Sequence, residues 1–242
     1  MLTIITCTKA RPVQFQLLCR WMERQTLRPA QWLVVTDNDN GYSPIPNYVD
    51  LHFRDDQDDN LCSFCHNILY ALDKIDNPYA MFWEDDDYYA PTFIQDLWSL
   101  MTTNDLAGLN EDVFYNLTFN RSRKVRNMSL ASLACTGFDV EKVGPLLRSL
   151  ALKDDVLIDG ALWDQWNGSK ALMSNWQADG RPLHIGLKGW GVGEPGLTMS
   201  HENELGSIDY GRRELEKMMA PGAFGLLQNS LNANKKAPLP LR

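Results

Sequence analysis

Short apolar runs alternate with segments of helical periodicity over roughly the first hundred residues, and this alternation constrains the fold more than any other feature of the chain. The apolar runs predict strands at residues 2–6, 31–36, 49–53 and 79–83. The periodic segments predict helices at residues 12–24 and 60–75. Strands that alternate with helices need right-handed crossovers, so the sequence predicts a mostly parallel central sheet flanked by helices, a Rossmann-like α/β fold.

The second half of the chain carries a weaker pattern. It predicts strands at 113–119 and 183–188, and helices at 139–150, 158–166 and 209–218. Because there is no internal repeat and no clear linker, a single domain is expected over residues 1–220. Residues 221–242 mix Gly, Asn, Lys and Pro, which predicts a loose C-terminal extension.

The balance of charges and cysteines limits the class of protein. Lysine and arginine total 23 against 31 acidic residues, and the resulting net charge of −8 excludes a uniformly basic coat for nucleic acid. No stretch approaches the roughly 18 consecutive apolar residues of a membrane span, and the first residues do not resemble a signal peptide. The five cysteines are scattered and odd in number, which is typical of reduced thiols, so a cytoplasmic location is expected.

An acidic run, Glu84-Asp85-Asp86-Asp87, follows the predicted strand at 79–83 directly. Ligands of open α/β sheets bind at the carboxyl ends of the strands, where this run is expected to lie. In extended backbone Asp85 and Asp87 would point to one side and share a cation such as Mg²⁺ or Mn²⁺. The alternative is a solvated acidic surface.

The order of the motifs resembles the GT-A glycosyltransferases, particularly family 2. The opening Thr6-x-Thr8-x-x-Arg11-Pro12 is similar to that family's Thr-x-Asn-Arg-Pro start, and Cys65-His66-Asn67 takes the place of its Ala-Arg-Asn. Asp85-x-Asp87 matches its metal-binding Asp-x-Asp. The resemblance covers residues 2–101 well and 130–166 loosely, and the first half also resembles short stand-alone members carried by tailed phages.

The resemblance implies an enzyme that transfers a sugar from a nucleotide sugar, with a UDP-sugar as the expected donor. The nucleotide-sugar half would be residues 1–101 and the acceptor half residues 102–220. The residues expected to bind the donor are Thr6, Thr8, Arg11, Asp37, Asn67 and Asp85. Arg11 is alternatively a surface residue at a helix start, and His66 departs from the arginine that the family tends to have there.

The metal site that the resemblance implies consists of Asp85 and Asp87 with His201 as a further ligand. Some GT-A enzymes supply a late histidine in this way, and neutral imidazole binds Mn²⁺ acceptably. The alternative for His201 is a structural or exposed side chain. A divalent cation, Mn²⁺ or Mg²⁺, is therefore the expected cofactor.

The segment Ile158-Asp159-Gly160-Ala161-Leu162-Trp163-Asp164 loosely matches the family's Glu-Asp-x-Asp-Leu-Trp. The resemblance makes Asp159 the base that removes the proton from the acceptor hydroxyl, and a single base acting in direct displacement predicts an inverting enzyme. Asp159 is alternatively a helix N-cap, and Asp164 and Asp155 compete for the catalytic role.

Other motif matches and functions are weaker. Cys62-Ser-Phe-Cys65-His66 fits a haem-attachment pattern, but it lies in an amphipathic helix, and no second ligand pair at suitable spacing supports zinc. A G-x-G-x-x-G match at residues 191–196 lacks the helix that should follow it. A sugar nucleotidyltransferase, which would open with a glycine-rich loop, and a non-catalytic nucleotide-sugar or glycan-binding protein are the alternative functions.

The acceptor is suggested by a basic segment in an otherwise acidic chain. Residues 113–138 contain no acidic side chain, but they carry Arg121, Arg123, Lys124 and Arg126. Lysine and arginine at this density are suited to binding a polyanion. Together with the phage-like opening, this basic segment suggests hydroxymethylated pyrimidines in DNA as the acceptor. A glycan acceptor and a merely solvated hairpin are the alternatives.

Overall fold

The computed structural model describes residues 1–9, 11–37, 42, 44–54, 61–154, 157–190 and 206–234. Its strands are β1 (Leu2–Thr8), β2 (Gln31–Thr36), β3 (Asp50–Phe53), β4 (Tyr79–Phe82), β5 (Tyr88–Tyr89), β6 (Leu106–Leu109), β7 (Glu111–Asn116), β8 (Arg121–Arg126), β9 (Thr136–Asp139), β10 (Lys170–Met173) and β11 (His184–Lys188). Its helices are α1 (Pro12–Glu23), α2 (Ser63–Leu72), α3 (Phe93–Met101), α4 (Val140–Ala151), α5 (Ile158–Gln165), α6 (Arg213–Met218) and α7 (Ala223–Asn234), with short 3₁₀ turns at Leu133–Cys135 and Tyr210–Arg212. None of the helices in this part of the chain has the length and apolar character needed to cross a membrane.

Among the described residues, seven strands form a central sheet in the order β10-β6-β9-β4-β1-β2-β3. Its pairs are parallel except around β9, which runs antiparallel to both β4 and β6. Thr8 at the end of β1 lies beside Thr36 at the end of β2, and β4 pairs with the other side of β1. The segments that follow these three strands therefore meet at one edge of the sheet.

Both faces of the central sheet are covered by helices. Successive residues of β1 point to opposite faces of the sheet, so Ile4 belongs to one core cluster and Ile5 to the other. Val34 and Val35 of β2 are divided between the two clusters in the same way. Helices α1, α3 and α7 pack on the first face, and α2, α4 and α5 pack on the second. Strands buried on both faces are continuous apolar runs, which is why the sequence pattern identified them.

A smaller four-stranded sheet has the order β5-β11-β7-β8 among the described residues. Strand β11 pairs antiparallel with β5 and parallel with β7, and β8 forms an antiparallel hairpin with β7. Val113, Tyr115 and Leu187 of this sheet belong to the same core cluster as Ile4 of the central sheet. The two sheets share a core, so the described chain is a single domain, as the sequence predicted.

The segment after Pro221 is not the loose arm that its composition predicted. Residues 223–234 form helix α7, which packs against α1 and buries Ala223, Leu227 and Leu231. Arg24 Nη2 at the end of α1 also donates a hydrogen bond to the carbonyl of Pro221 at 2.6 Å. The prediction was wrong because helical spacing of a few leucines outweighs low helix propensity once a partner helix covers them. Residues 235–242 of the predicted extension lie outside the described residues.

The predicted helix at 209–218 is shorter than expected. Gly211 has a φ of 72° and Arg212 a φ of 57°, so the backbone is left-handed there and α6 begins only at Arg213. Asp209 lies before this break and is 4% exposed. Its carboxylate accepts hydrogen bonds from the Tyr115 hydroxyl at 3.0 Å and from the amides of Glu214 and Leu215 at 3.0 to 3.1 Å.

Asp209 should make folding stability depend on pH. Burial alone would raise the pKa of Asp209, but the two amides and the Tyr115 hydroxyl lower it more, so its pKa lies below the ordinary value. A lowered pKa contributes stability above the unfolded value of about 3.9, and that stability is lost as the pH falls through the folded pKa. We expect Asp209→Asn to lose about 2 kcal/mol near neutral pH, since hydrogen bonds to a charged group are the strong ones. Urea unfolding at neutral pH and at about pH 3 measures this, and a difference that did not shrink in acid would contradict it.

Candidate functional site

Polar side chains converge at the carboxyl edge of β1, β2 and β4. The Thr8 hydroxyl donates a hydrogen bond to Asp85 Oδ2, and it also lies 3.2 Å from the hydroxyl of Tyr42. Arg11 Nη1 lies 3.0 Å from both Asp85 Oδ1 and Asp86 Oδ2. The opening motif and the acidic run are therefore in direct contact, as the strand order predicted.

The acidic run forms a turn rather than a continuation of β4. The backbone turns at residues 85–87 and enters β5 at Tyr88, so the expected extended backbone is wrong. The Glu84 amide donates to the Tyr89 hydroxyl at 2.7 Å, and the Trp83 and Tyr89 rings stack with centroids 4.2 Å apart. These contacts fix the turn, and Asp85 and Asp87 consequently have separate partners.

Asp87 is 3% exposed and is bound by three donors from β11. Its carboxylate accepts from His184 Nε2 at 3.0 Å, from the Leu187 amide at 2.9 Å and from Lys188 Nζ at 3.2 Å. Burial alone would raise the pKa of Asp87, but Lys188 and His184 lower it to about 2. Asp87 is therefore a charged group at neutral pH and connects the acidic turn to the smaller sheet.

The Lys188 ammonium lies among three carboxylates of the acidic turn. Its Nζ is 3.2 Å from Asp87, 3.3 Å from Glu84 and 3.9 Å from Asp86. Burial would lower the pKa of Lys188, but the attraction of Asp87, Asp86 and Glu84 keeps it well above its ordinary value. Burial and the neighbouring carboxylates raise the pKa of Asp86 to about 7 although Lys188 opposes them. The turn is thus a dense acidic cluster with a lysine as its counter-ion.

The same three residues are a candidate cation site. One carboxylate oxygen each of Glu84, Asp86 and Asp87 lies within 4.8 Å of the others, and oxygen donors of this kind suit Mg²⁺ or Mn²⁺. Asp85, which the motif assigned to the metal, is turned toward Thr8 and Arg11. The carboxylate oxygens of this cluster are suitable ligands for a divalent cation. For such a cation to bind, the Lys188 ammonium would have to move out of the cluster.

Two further predicted donor-binding residues also lie at this edge. The Asp37 carboxylate accepts from the Ser63 hydroxyl and lies 3.0 Å from Lys9 Nζ. Burial raises its pKa, but Ser63 and Lys9 lower it more, so the pKa of Asp37 lies below its ordinary value. Asn67 Nδ2 lies 3.4 Å from the carbonyl of Thr8. Asp37 and Asn67 thus lie beside the opening motif.

Thr6 occupies a different environment from Thr8. It is fully buried, and its hydroxyl accepts a hydrogen bond from Trp32 Nε1 at 3.1 Å. This contact joins β1 to β2 inside the first core face. In the structure the hydroxyl of Thr6 supports the sheet, while that of Thr8 is at its edge.

Asp159 is the second residue of α5, and Leu157 is the N-cap. The alternative assignment of Asp159 as the N-cap is therefore wrong, although its Oδ1 accepts a hydrogen bond from the Gly160 amide at 2.8 Å. Burial raises the pKa of Asp112, and the charges of Asp159 and Asp87 add to this effect. Asp159 and Asp87 therefore both influence the pKa of Asp112, which is itself buried.

Three other predicted residues have different outcomes. Asp164 is on α5 and exposed. His201 and Asp155 lie outside the described residues, so their roles remain predictions.

The basic segment is the outer strand of the smaller sheet. β8 pairs with β7 on one side only among the described residues, so it is an edge strand. Side chains alternate along a strand, which places Arg121 and Arg123 on one face and Lys124 and Arg126 on the other. Lys124 Nζ lies 4.3 Å from the centre of the Trp176 ring, a cation–π contact. The four charges form two pairs on opposite faces rather than a single patch.

Sequence reasoning missed Lys188 and His184, the partners of Asp87. Both lie in a strand that was predicted at 183–188, and as alternate residues they share one face of it with Gly186. Charged and polar groups on one face of an otherwise apolar strand were the available signal. What the sequence lacked was the pairing of β11 with β5, which places that face against the acidic turn.

Comparisons with known proteins support the fold. The sequence matches no protein-family model and no curated protein. Among solved structures it is similar to S. aureus TarS residues 1–349, with a TM-score of 0.56 at 12% identity, covering 77% of this chain and 60% of that one. The same TarS fragment in complex with UDP-GlcNAc gives a TM-score of 0.55 at 12% identity, covering 98% of this chain and 67% of that one.

A longer TarS structure gives a TM-score of 0.53 at 10% identity, with 77% of this chain and 36% of that chain covered. The chain thus spans 36% to 60% of the length of the first TarS structures that it matches. At such low identity the likeness concerns the fold alone. Together with the observed topology it confirms the predicted fold class, a GT-A-like α/β domain with a mostly parallel central sheet.

Proposed function

We propose that the protein is a glycosyltransferase that moves a sugar from a UDP-sugar to a hydroxyl group of an acceptor. The observation that carries the proposal is the sheet edge at which Thr8, Arg11 and the acidic turn meet. TarS, whose fold is similar, has been solved with UDP and with UDP-GlcNAc, which supports a nucleotide sugar as donor. Hexosyl transfer with inversion at the anomeric carbon is the expected reaction.

The donor would bind along the ends of β1 and β2. We assign Asp37 and Asn67 to the nucleoside, and Thr8 and Arg11 to the diphosphate end. The Arg11 guanidinium already bridges Asp85 and Asp86, and its planar fork matches phosphate oxygens equally well. Thr6 is still proposed to help bind the nucleotide sugar, but only because it lies next to these side chains.

A divalent cation, Mn²⁺ or Mg²⁺, is the proposed cofactor. The motif assigns it to Asp85, Asp87 and His201, and the cluster geometry assigns it to Glu84, Asp86 and Asp87. Asp87 belongs to both sets and is proposed as the principal ligand. When bound, such a cation would supply Lewis-acid stabilisation of the departing diphosphate.

Asp159 is the proposed general base. It lies in the first turn of α5, at the position that the motif match gives to the base. It would take the proton of the acceptor hydroxyl while that oxygen attacks the anomeric carbon from the face opposite the diphosphate. Direct displacement of this kind inverts the configuration.

Strand β8 is the proposed acceptor contact. Its exposed pair, Lys124 and Arg126, suits the phosphates of DNA, and hydroxymethylated pyrimidines offer the hydroxyl that the reaction needs. A glycan hydroxyl is the other proposed acceptor.

The function is tested by incubating the protein with a panel of nucleotide sugars, hydroxymethylpyrimidine DNA or oligosaccharides, and Mn²⁺, and by measuring the released nucleotide. We expect turnover with a UDP-sugar and a loss of at least about 100-fold in excess chelator, because Lewis-acid stabilisation is worth several kcal/mol. Full activity in chelator would remove the cation from the proposal. Release of pyrophosphate from a nucleoside triphosphate would instead indicate a nucleotidyltransferase, and donor binding without turnover a binding protein.

The acceptor is tested with two matched charge reversals on β8. We expect Lys124→Glu/Arg126→Glu to weaken DNA binding by at least about 10-fold and to reduce the slope of log K against log salt by about 2, since each phosphate contact contributes about 0.9. Arg121→Glu/Arg123→Glu, on the less exposed face, is the control and should have the smaller effect. Binding without salt dependence, or equal effects of both variants, would leave the glycan as acceptor.

A further inference from the structure

Cys62, Cys65 and Asp154 form a second cluster of possible metal ligands, at the N-terminal end of α2. One ligand atom from each, the two sulfurs and a carboxylate oxygen, lies within 4.8 Å of the others. Cys62 is exposed, Asp154 is half-buried, and Cys65 is buried. The cluster is therefore reachable from solvent on one side and enclosed by protein on the other.

The fold brings these residues together by fixed contacts. Cys62 is the N-cap of α2, and its sulfur accepts a hydrogen bond from the Cys65 amide at 3.4 Å. Helix α2 packs against α4, and Asp154 follows α4 with a left-handed φ of 55°. In this conformation Asp154 Oδ1 accepts a hydrogen bond from the Cys62 amide at 2.7 Å.

We propose that Cys62, Cys65 and Asp154 bind a zinc-class divalent cation, with water in the fourth position. Two thiolates and a carboxylate are ligands that Zn²⁺ accepts in a tetrahedral site. Binding converts the two thiols to thiolates and releases two protons to the solvent, because only the thiolate is a good metal ligand. The sequence offers only Cys62-x-x-Cys65 as a ligand pair, and the fold supplies the third ligand from a residue 92 positions away.

The carboxylate distinguishes this site from a redox pair of cysteines. A third negative group opposes formation of thiolates unless a cation compensates it, whereas a disulfide between Cys62 and Cys65 would gain nothing from Asp154. The arrangement therefore favours cation binding over disulfide chemistry.

Occupation of this site would also fix the start of α2. Ser63 directly follows Cys62, and its hydroxyl donates to Asp37 at the carboxyl edge of the central sheet. A sulfur-rich site selects Zn²⁺, while the all-oxygen acidic turn selects Mg²⁺ or Mn²⁺, so the two sites take different metals. The proposal stands independently of the proposed glycosyl transfer.

The test is a Cd²⁺ titration of the fully reduced protein, followed by the near-ultraviolet charge-transfer absorption of thiolate–Cd²⁺ bonds. We expect one Cd²⁺ per chain, displaced by added Zn²⁺, and loss of the band in Cys62→Ser. Asp154→Asn keeps an oxygen that accepts from the Cys62 amide, so it preserves the fold. Asp154→Asn should weaken Cd²⁺ binding by at least about 10-fold, because the loss of a hydrogen-bond partner outside the ligand shell already lowers metal affinity by about that factor.

Cys19→Ala is the matched control, since Cys19 is a buried thiol on α1 and should leave the titration unchanged. An absent band, a band that persists in Cys62→Ser, or an affinity unaffected by Asp154→Asn would overturn the proposal. So would a Cys62–Cys65 disulfide in the isolated protein together with no Cd²⁺ uptake after reduction.

Discussion

Replacing Asp87 with asparagine is expected to lower the free energy of unfolding by about 3 kcal/mol, because removal of one partner from a buried ion pair leaves the other charge uncompensated. Lys188 and His184 both direct their cationic or polar groups at this carboxylate, and Asp87 and His184 are almost completely buried. Urea unfolding monitored by tryptophan fluorescence measures the loss. Turnover is expected to disappear as well, since Asp87 is the proposed principal cation ligand.

Two variants separate this effect from an ordinary loss of charge. Asp73→Asn breaks an exposed pair, in which Arg148 Nη2 lies 2.6 Å from Asp73, and should cost less than about 1 kcal/mol. Asp87→Asn/Lys188→Met removes both charges and should recover part of the lost stability. If the double variant is no more stable than Asp87→Asn, the ion pair is not the source of the loss.

Asp159→Asn is expected to lower the rate of sugar transfer by about 100-fold or more while donor binding is retained, as is typical of the loss of a general base. The amide is nearly isosteric with the carboxylate, so α5 should keep its first turn and the melting temperature should change little. Single-turnover rates and UDP binding by calorimetry measure the two effects separately.

Asp164→Asn is the matched control for Asp159→Asn. Asp164 is an exposed carboxylate on the same helix, and its substitution should leave the rate within about 2-fold, as expected of a surface change remote from any special contact. An Asp159→Asn protein that melts early with unchanged specific activity would return Asp159 to a purely structural role. A large rate loss in Asp164→Asn would transfer the base assignment to that residue.

The first half of the fold was predictable because burial on both faces leaves a simple signal. The predicted strand at 31–36 coincides with β2. The second half lacks this signal, and β9 shows why. It is a four-residue strand inserted antiparallel between β4 and β6, and it contains Gly137, a residue that is depleted in strands. A Cβ at this position would lie 2.4 Å from Met101 Sδ of α3, so a larger residue would require the Met101 side chain to move, and no local pattern reveals this contact.

The contacts of the candidate site were likewise predictable only in part. The meeting of Thr8, Arg11 and Asp85 followed from the order of parallel strands, which fixes the shared edge. The position of Lys188 in the acidic turn did not follow, because it depends on a two-residue strand, β5, pairing with a strand about a hundred residues later. Contacts of that separation are set by tertiary structure and leave no periodic trace in the sequence.

The basic edge strand has a consequence for how this chain avoids self-association. An edge strand presents unpaired backbone groups to which a strand of another chain can add, and charged side chains on the edge oppose such addition. The Gly206 amide already donates to the Ser122 carbonyl at this edge, and β8 carries four cationic side chains within six residues, so two copies brought edge to edge would repel each other. Neutralising these residues to study the acceptor therefore also removes a barrier to aggregation, whereas reversal of all four to glutamate would keep one sign of charge along the edge and with it the repulsion.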